Sequence, residues 1–299
     1  MLDVAIVGGG PAGLTAGLYC ARAGLSCALF ERLMAGGQAS TTNLLENYPG
    51  FPGGIGGPEL MMKFAEQAEE AGLTIEYEDV LSLDLAGAEK ALQLDGRQVR
   101  AKSVILAMGA QRAKLGVPGE EEFVGRGVSY CATCDGAFYA GKRVAVIGGG
   151  DTAIEDALYL SARSHVTLIH RRAQLRATGR AVERAKANPN IEFCLGSPPE
   201  RIEKSGAGLA VALANGARIE ADGVFIAVGT RPETALAAGQ VALDEAGYIL
   251  AGEDTRTSVP GVFAAGDARK KPLKQVATAV GDGATAAAMA LKYVQEECS

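Results

Sequence analysis

The sequence predicts an α/β protein built from two copies of one βαβ unit, the second inserted into the first. Three observations carry that prediction. Two glycine-rich loops, Gly8-Gly9-Gly10-Pro11-Ala12-Gly13 and Gly148-Gly149-Gly150-Asp151-Thr152-Ala153, each stand between an apolar run and a helical stretch. Two apolar runs of the same pattern, Ser103–Gly109 and Gly223–Gly229, close the two copies. The stretch after the second copy is too short to form a core of its own, so it is expected to complete the first. The result is two Rossmann-like, three-layer domains.

The elements come in order. Residues 2–7, Leu-Asp-Val-Ala-Ile-Val, read as a buried parallel strand. The first loop leads into a helix that reaches Gly24, and a second strand, Ser26–Phe30, ends at Glu31. The order then repeats with strand Val144–Ile147, the second loop, a helix to Ala162 and strand Val166–Ile169. Residues 79–102 and 200–220 alternate in polarity, which predicts hairpins crossing over each sheet. Joints are expected at Ala110–Gly119 and Ala238–Gly247. The expected domains are 1–113, first part of the first domain; 114–240, the inserted domain; and 241–299, second part of the first.

Composition narrows the class. A chain of 299 residues with 40 glycines and 48% hydrophobic residues has room for two cores and is not disordered. A net charge of −6 gives no support for nucleic acid as a partner. The six cysteines are scattered except for one Cys-x-x-Cys, unlike a disulfide-stapled secreted domain. Met1-Leu2-Asp3 runs straight into an apolar strand with no basic leader. The apolar tail Val276–Leu291 is interrupted by Asp282 and is too short to span a bilayer comfortably. A cytoplasmic protein without a membrane partner is expected. Cys20, Cys27 and Cys194 are expected in the core, and Cys298 as a thiol of a frayed tail.

The two loops differ in their second signals. Gly8, Gly10 and Gly13 have the spacing that lets a pyrophosphate approach the N-terminus of a helix. Glu31, twenty-three residues beyond Gly8, is placed to accept hydrogen bonds from a ribose. The second loop uses Gly148, Gly150 and Ala153, and the position of Glu31 is taken by His170-Arg171-Arg172, with Arg176 close behind. Arginines there suit a ribose 2′-phosphate, which a carboxylate would repel. Arg180, Arg184 and Lys186 continue the run and read as a solvated face. One site asks for a 2′-hydroxyl and the other for a 2′-phosphate, which points to FAD and NADPH.

Cys131-Ala132-Thr133-Cys134 precedes the second loop. Half a zinc site is one reading, but there is no second Cys-x-x-Cys, and the only histidines are His165 and His170. Two inert thiols is another. A redox disulfide fits better, because a dithiol matches a two-electron hydride and a helix over Ala132–Phe138 would stabilise a thiolate at its N-terminus. The cysteines then ride on the same unit as the NADPH loop. Nicotinamide and disulfide must each meet the flavin, so the inserted unit is expected to rotate between two positions.

With these motifs the chain resembles the low-molecular-weight bacterial thioredoxin reductases over essentially its whole length. The resemblance is carried by both fingerprints, Gly36-Gly37-Gln38, Thr41-Thr42, Glu46-Asn47-Tyr48-Pro49-Gly50, Cys131 through Gly136, His170-Arg171-Arg172 and Phe263 through Asp267. It implies FAD bound by Gly8, Gly10, Pro11, Ala12, Gly13, Glu31, Arg32, Gly37, Gln38, Asn47, Gly109, Gly266, Asp267, Lys274, Gln275 and Val276. It implies NADPH bound by Gly148, Gly150, Asp151, Thr152, Ala153, His170, Arg171, Arg172 and Arg176. Cys134 is then the cysteine nearer the flavin, Cys131 the one that exchanges with thioredoxin, and Asp135 the acid that protonates a departing thiolate. A homodimer and no metal are implied as well. Lys274 departs from the arginine common in the family, and Ala137 stands before Phe138 where some relatives pair two aromatics. Arg126 matches a position implicated in partner docking, or is a solvated loop charge. On the same scaffold, a reductase or dithiol oxidase for another small disulfide, or a flavin redox sensor without turnover, stands as the alternative function.

Overall fold

The computed structural model describes residues 1–42 and 44–297; Cys298 lies outside them. The chain opens with β1 (Leu2–Val7), α1 (Pro11–Arg22) and β2 (Cys27–Phe30). A 3-10 turn at Gly37–Thr41 and helix α2 (Gly57–Glu70) lead to β3 (Thr74–Glu76). Strands β4 (Ser82–Asp84), β5 (Lys90–Gln93) and β6 (Gln98–Leu106) come next as a meander, and β7 (Ala110–Arg112) leaves this unit. The inserted stretch holds β8 (Val128–Ser129), the single turn α3 (Ala132–Asp135), β9 (Arg143–Ile147), α4 (Asp151–Ser161) and β10 (His165–His170). It continues through α5 (Arg180–Lys186), β11 (Ile191–Leu195), β12 (Pro199–Ser205), β13 (Gly208–Leu213), β14 (Arg218–Ala221) and β15 (Gly223–Ile226). Strand β16 (Thr230–Pro232) returns, pairing with β7, and β17 (Val262–Ala264) and α6 (Val276–Glu297) end the chain.

Two units result: Met1–Gln111 with the chain from Arg231 onward, and Arg112–Thr230. In the first, β3-β2-β1-β6 run parallel, with β17 on β6 and the meander continuing from β6. Side chains alternate across a strand, so β1 serves two cores. Val4 and Ile6 pack with α1 and α6 residues such as Leu14, Ala16, Ala286 and Ala290. Ala5 and Val7 pack with Leu83, Leu92 and Leu94 of the meander. Helix, parallel sheet and meander are the three layers. Helices α1 and α6 approach closely because Gly283 has no Cβ, which would strike the Ala12 carbonyl.

The second unit repeats the plan. Its parallel sheet runs β11-β10-β9-β15-β8, with α4 against Val144, Val146 and Leu168 on one face. The separate sheet β12-β13-β14 covers Ala145, Ile147 and Ile169 on the other. Two details differ from the sequence-based expectation. The chain returns at Thr230–Arg231 rather than within 238–247, because Ala237, Val241 and Ile249 are buried in the first unit's meander core. Gln240 fixes that stretch there, its amide donating to the Leu83 carbonyl (2.9 Å) and accepting from Leu85 N–H (2.8 Å). The expected helix over Ala132–Phe138 is one α turn, Ala132–Asp135, followed by a 3-10 turn at Gly136–Tyr139.

Candidate active site

In the first unit, the loop between β1 and α1 forms a cradle. A Cβ on Gly13 would collide with the Gly8 carbonyl, and one on Gly8 would lie 2.5 Å from the Ala107 carbonyl oxygen, so these two glycines are required by the protein's own packing. Gly10 is different. Its φ of −74° suits any residue, and its missing Cβ would meet nothing within 4 Å. The space this leaves at the helix N-terminus, where no side chain caps α1, fits a dinucleotide pyrophosphate.

Other segments converge on this loop. Gly36 N–H donates to the Gly9 carbonyl (2.7 Å), and a Cβ on Gly37 would lie 3.2 Å from Gly10 Cα. Gln38 donates to the Ala110 carbonyl. Glu31, at the end of β2, accepts from Gly9 N–H (2.8 Å) and Leu33 N–H (3.1 Å), which turns its carboxylate onto the loop. The Asn47 amide donates to Gln275 Oε1 (3.0 Å), joining two of the expected flavin contacts across 228 positions of sequence. A Cβ on Gly266 would come 2.9 Å from Ala12 Cβ, so the Gly266-Asp267 turn also lies against α1. Arg32 is exposed, and the Lys274 ammonium lies 4.2 Å over the Tyr248 ring.

A cluster that sequence reading missed holds the Gly266-Asp267 turn. Asp282 accepts from Gly266 N–H (3.0 Å), Arg269 Nε (2.9 Å) and Lys271 Nζ (2.9 Å) with one oxygen, and from Arg269 Nη2 (2.8 Å) with the other. Burial opposes ionisation of Asp282, but the hydrogen bonds and charges of Arg269 and Lys271 outweigh it and hold the carboxyl below its ordinary range. The signal was present in sequence: Asp282 is the only charge between Val276 and Leu291.

In the second unit, a cleft of about 300 Å³ lies at the N-terminus of α4, lined by Gly150, Asp151, Thr152, Arg176, Ala227 and Gly229. No side chain caps α4, so its first N–H groups face that space. Gly148 packs on the Ala227 carbonyl, and Ala153 is buried beneath the loop. Arg176 N–H donates to the Gly149 carbonyl (2.7 Å), and its guanidinium reaches within 2.8 Å of where a Gly150 Cβ would be. Arg171 and Arg172 are exposed beyond the end of β10. The His170 ring lies against Gly149, and burial, then the Arg171 and Arg172 charges, push its pKa down. This donor set fits a dinucleotide carrying an extra phosphate.

Cys131 and Cys134 are joined as a disulfide, Cα atoms 5.3 Å apart and both part-exposed. Cys134 and Asp135 N–H groups both donate to the Cys131 carbonyl (3.3 and 3.1 Å), closing the single turn. Gly136 is packed on Leu160 and Tyr159 with helical backbone angles, and the chain continues from it as the 3-10 turn. The thiolate-stabilising dipole expected of a longer helix is therefore reduced to one turn.

Sequence reading also missed the groups just before the disulfide. Ser129 Oγ donates to Asp135 Oδ2 (2.6 Å) and accepts from Cys131 N–H (3.0 Å). The Tyr130 hydroxyl donates to Glu120 (2.7 Å), which also takes Leu115 and Gly116 N–H, and Arg112 lies 5.7 Å over the Tyr130 ring. Burial, then the bond to Glu120, raises the Tyr130 pKa, keeping the phenol a neutral donor. Phe138 is 46% exposed, and Arg126 donates to the Glu122 carbonyl on the surface. Among the described residues, no three His, Cys, Asp or Glu side chains gather as a metal site.

Two nucleotide cradles and one Cys-x-x-Cys disulfide define an oxidoreductase that moves electron pairs between a nucleotide and sulfur. The chain matches the pyridine nucleotide-disulphide oxidoreductase family over residues 2–283 and belongs to it. It is 42% identical over 305 residues to a thioredoxin reductase of Peptoclostridium acidaminophilum, covering 98% of this chain and 97% of the relative. It is 44% identical over 303 residues to a thioredoxin reductase of Mycolicibacterium smegmatis, covering 99% and 97%. The crystal structure of thioredoxin reductase from Streptococcus pyogenes aligns with 99% of this chain and 98% of its own, at a TM-score of 0.92 and 42% identity.

Proposed function

We propose that the protein is an NADPH-dependent thioredoxin reductase. The observation that carries this reading is the Cys131–Cys134 disulfide in the same unit as an arginine-flanked nucleotide cleft. The relatives named thioredoxin reductase, similar over nearly the whole chain, support it.

In this reading the Gly8–Gly13 loop, Glu31, Gln38, Asn47, Asp267 and Gln275 hold FAD, and Arg171, Arg172 and Arg176 take the 2′-phosphate of NADPH. Bound there, FAD would supply two-electron chemistry between the nicotinamide of NADPH and the disulfide. The protein's own residues do the sulfur chemistry. Breaking the Cys131–Cys134 bond takes two electrons and two protons, and Asp135 gives one proton to the departing thiolate. The Cys131 thiolate then attacks the thioredoxin disulfide, forming a mixed disulfide and releasing one thioredoxin thiol. Cys134 attacks Cys131 Sγ, which frees the second thiol and restores the Cys131–Cys134 disulfide. Thioredoxin leaves with the two electrons and two protons.

The part-exposed disulfide and the exposed Phe138 beside it support a protein partner. Among the described residues no helix is long and apolar enough to cross a membrane. A cytoplasmic homodimer completes the proposal. The test measures NADPH consumption by the flavin-loaded protein with oxidised thioredoxin. Turnover that needs thioredoxin, is lost in Cys131→Ser and is slower with NADH is expected. Flavin bound without thioredoxin-dependent turnover would refute the reading.

A further inference from the structure

The dithiol has a donor that the motif does not include. Ser129 is the last residue of β8, an edge strand held to the sheet through pairing of Ser129 with Phe225 of β15. The residue is 5% exposed and lies on the inner side of the disulfide turn. Its hydroxyl is 2.6 Å from Asp135 Oδ2, a length typical of a hydroxyl donating to a carboxylate oxygen. With its one proton committed there, the oxygen accepts from Cys131 N–H at 3.0 Å, and the Cys131 carbonyl lies 3.4 Å away. A single hydroxyl therefore ties the backbone of the exchanging cysteine to the carboxyl of the residue after Cys134.

We infer that Ser129 is the positioning residue of the Asp135 acid: it holds Oδ2 against the sheet edge so that Oδ1 is the oxygen that carries the proton. The inference rests on the acid role of Asp135 in the proposed function. Three properties support it. The donor is a short side chain on a paired strand, so the carboxyl is referenced to the sheet edge. Oδ1 has no donor among the described residues, which leaves it available for proton transfer. Asp135 itself closes a single helical turn, whose own backbone hydrogen bonds do not fix a side-chain rotamer. Without the Ser129 hydroxyl the carboxyl would sample several rotamers, and general acid catalysis depends on hydrogen-bond reach to the leaving atom.

No atom of Ser129 enters a bond-making step. The proton leaves Asp135 for the departing thiolate and is replaced from water, and Ser129 keeps its own.

The test compares Ser129→Ala, Ser129→Thr, Asp135→Asn and the Ser129→Ala/Asp135→Asn double variant in the flavin-loaded protein. Thioredoxin-dependent kcat and KM are measured, with thermal unfolding as the check on folding. Ser129→Ala is expected to lower kcat about tenfold with KM for thioredoxin unchanged, because orientation and not docking is lost. Ser129→Thr restores most of it, since the hydroxyl is kept. The double variant is no slower than Asp135→Asn alone, because a residue acting through another adds nothing once that one is gone. Full kcat in Ser129→Ala, or additive losses in the double variant, would overturn the inference while the acid role stands. Wild-type kcat in Asp135→Asn would overturn the acid role itself. Should Ser129→Ala fail to fold, Ser129→Val, which removes the hydroxyl at nearly constant size, is compared with Ser129→Thr, each with and without Asp135→Asn; equal kcat in the Val and Thr variants would overturn the inference.

Discussion

Gly10 and Arg176 show how single residues report on what each unit binds. At Gly10 neither backbone strain nor protein packing asks for a glycine, and in the proposed function the open space takes the FAD pyrophosphate. At Arg176 the guanidinium is already folded over the Gly150 end of the second loop. Charged hydrogen bonds of the kind it would make to phosphate contribute about 1.5–3 kcal/mol each. Replacing Arg171 and Arg176 with alanine is therefore expected to raise KM for NADPH at least about tenfold and to leave KM for NADH nearly unchanged. Steady-state kinetics with both nucleotides checks this, and equal losses with the two would argue that the arginines are structural. Both cradles were legible in sequence, because glycine spacing and the residue at the end of the second strand are local signals. Ser129 was not. Its role depends on a contact across the disulfide turn that spacing alone does not reveal.

At the scale of elements, α6 does more than cover the sheet. It carries Asp282 to the Gly266-Asp267 turn, where Arg269 and Lys271 close around it. Removing one partner of a buried ion cluster leaves uncompensated charge, at about 3–5 kcal/mol. Asp282→Ala is expected to lower unfolding stability by roughly that amount at pH 7. The sign with pH comes from the depressed pKa. The stabilisation is present above the unfolded carboxyl's ordinary value of 3.8 and is lost as pH falls through the folded value. Denaturant unfolding of both proteins should therefore converge as the pH falls below the depressed value of the folded carboxyl, whereas equal stability at pH 7 would contradict the account. The βαβ repeats, hairpins and closing strands were readable from period and punctuation. Two element boundaries were not. The α turn at Ala132–Asp135 passes into a 3-10 turn at Gly136, and residues 237–249 belong to the first unit because Gln240 bonds to Leu83 and Leu85. The second boundary is set by contacts distant in sequence.

For the whole molecule, the disulfide and the nucleotide cleft share one unit, and the Gly8–Gly13 cradle belongs to the other. The proposed chemistry brings nicotinamide and disulfide in turn to one flavin, which requires the inserted unit to move. The chain crosses between the units twice, and the two crossings pair as a ribbon of β7 and β16. A crosslink between the units is expected to abolish steady-state turnover while sparing one half-reaction, and turnover unchanged by it would exclude the movement. The central claim is that electrons from NADPH arrive at Cys131 and Cys134. It is tested most directly by adding NADPH to the flavin-loaded protein without oxygen, alkylating the thiols, and mapping the labelled cysteines by mass spectrometry. Labelling of Cys131 and Cys134 together, only after NADPH, is the predicted result. A disulfide that stays closed while NADPH is consumed would contradict it.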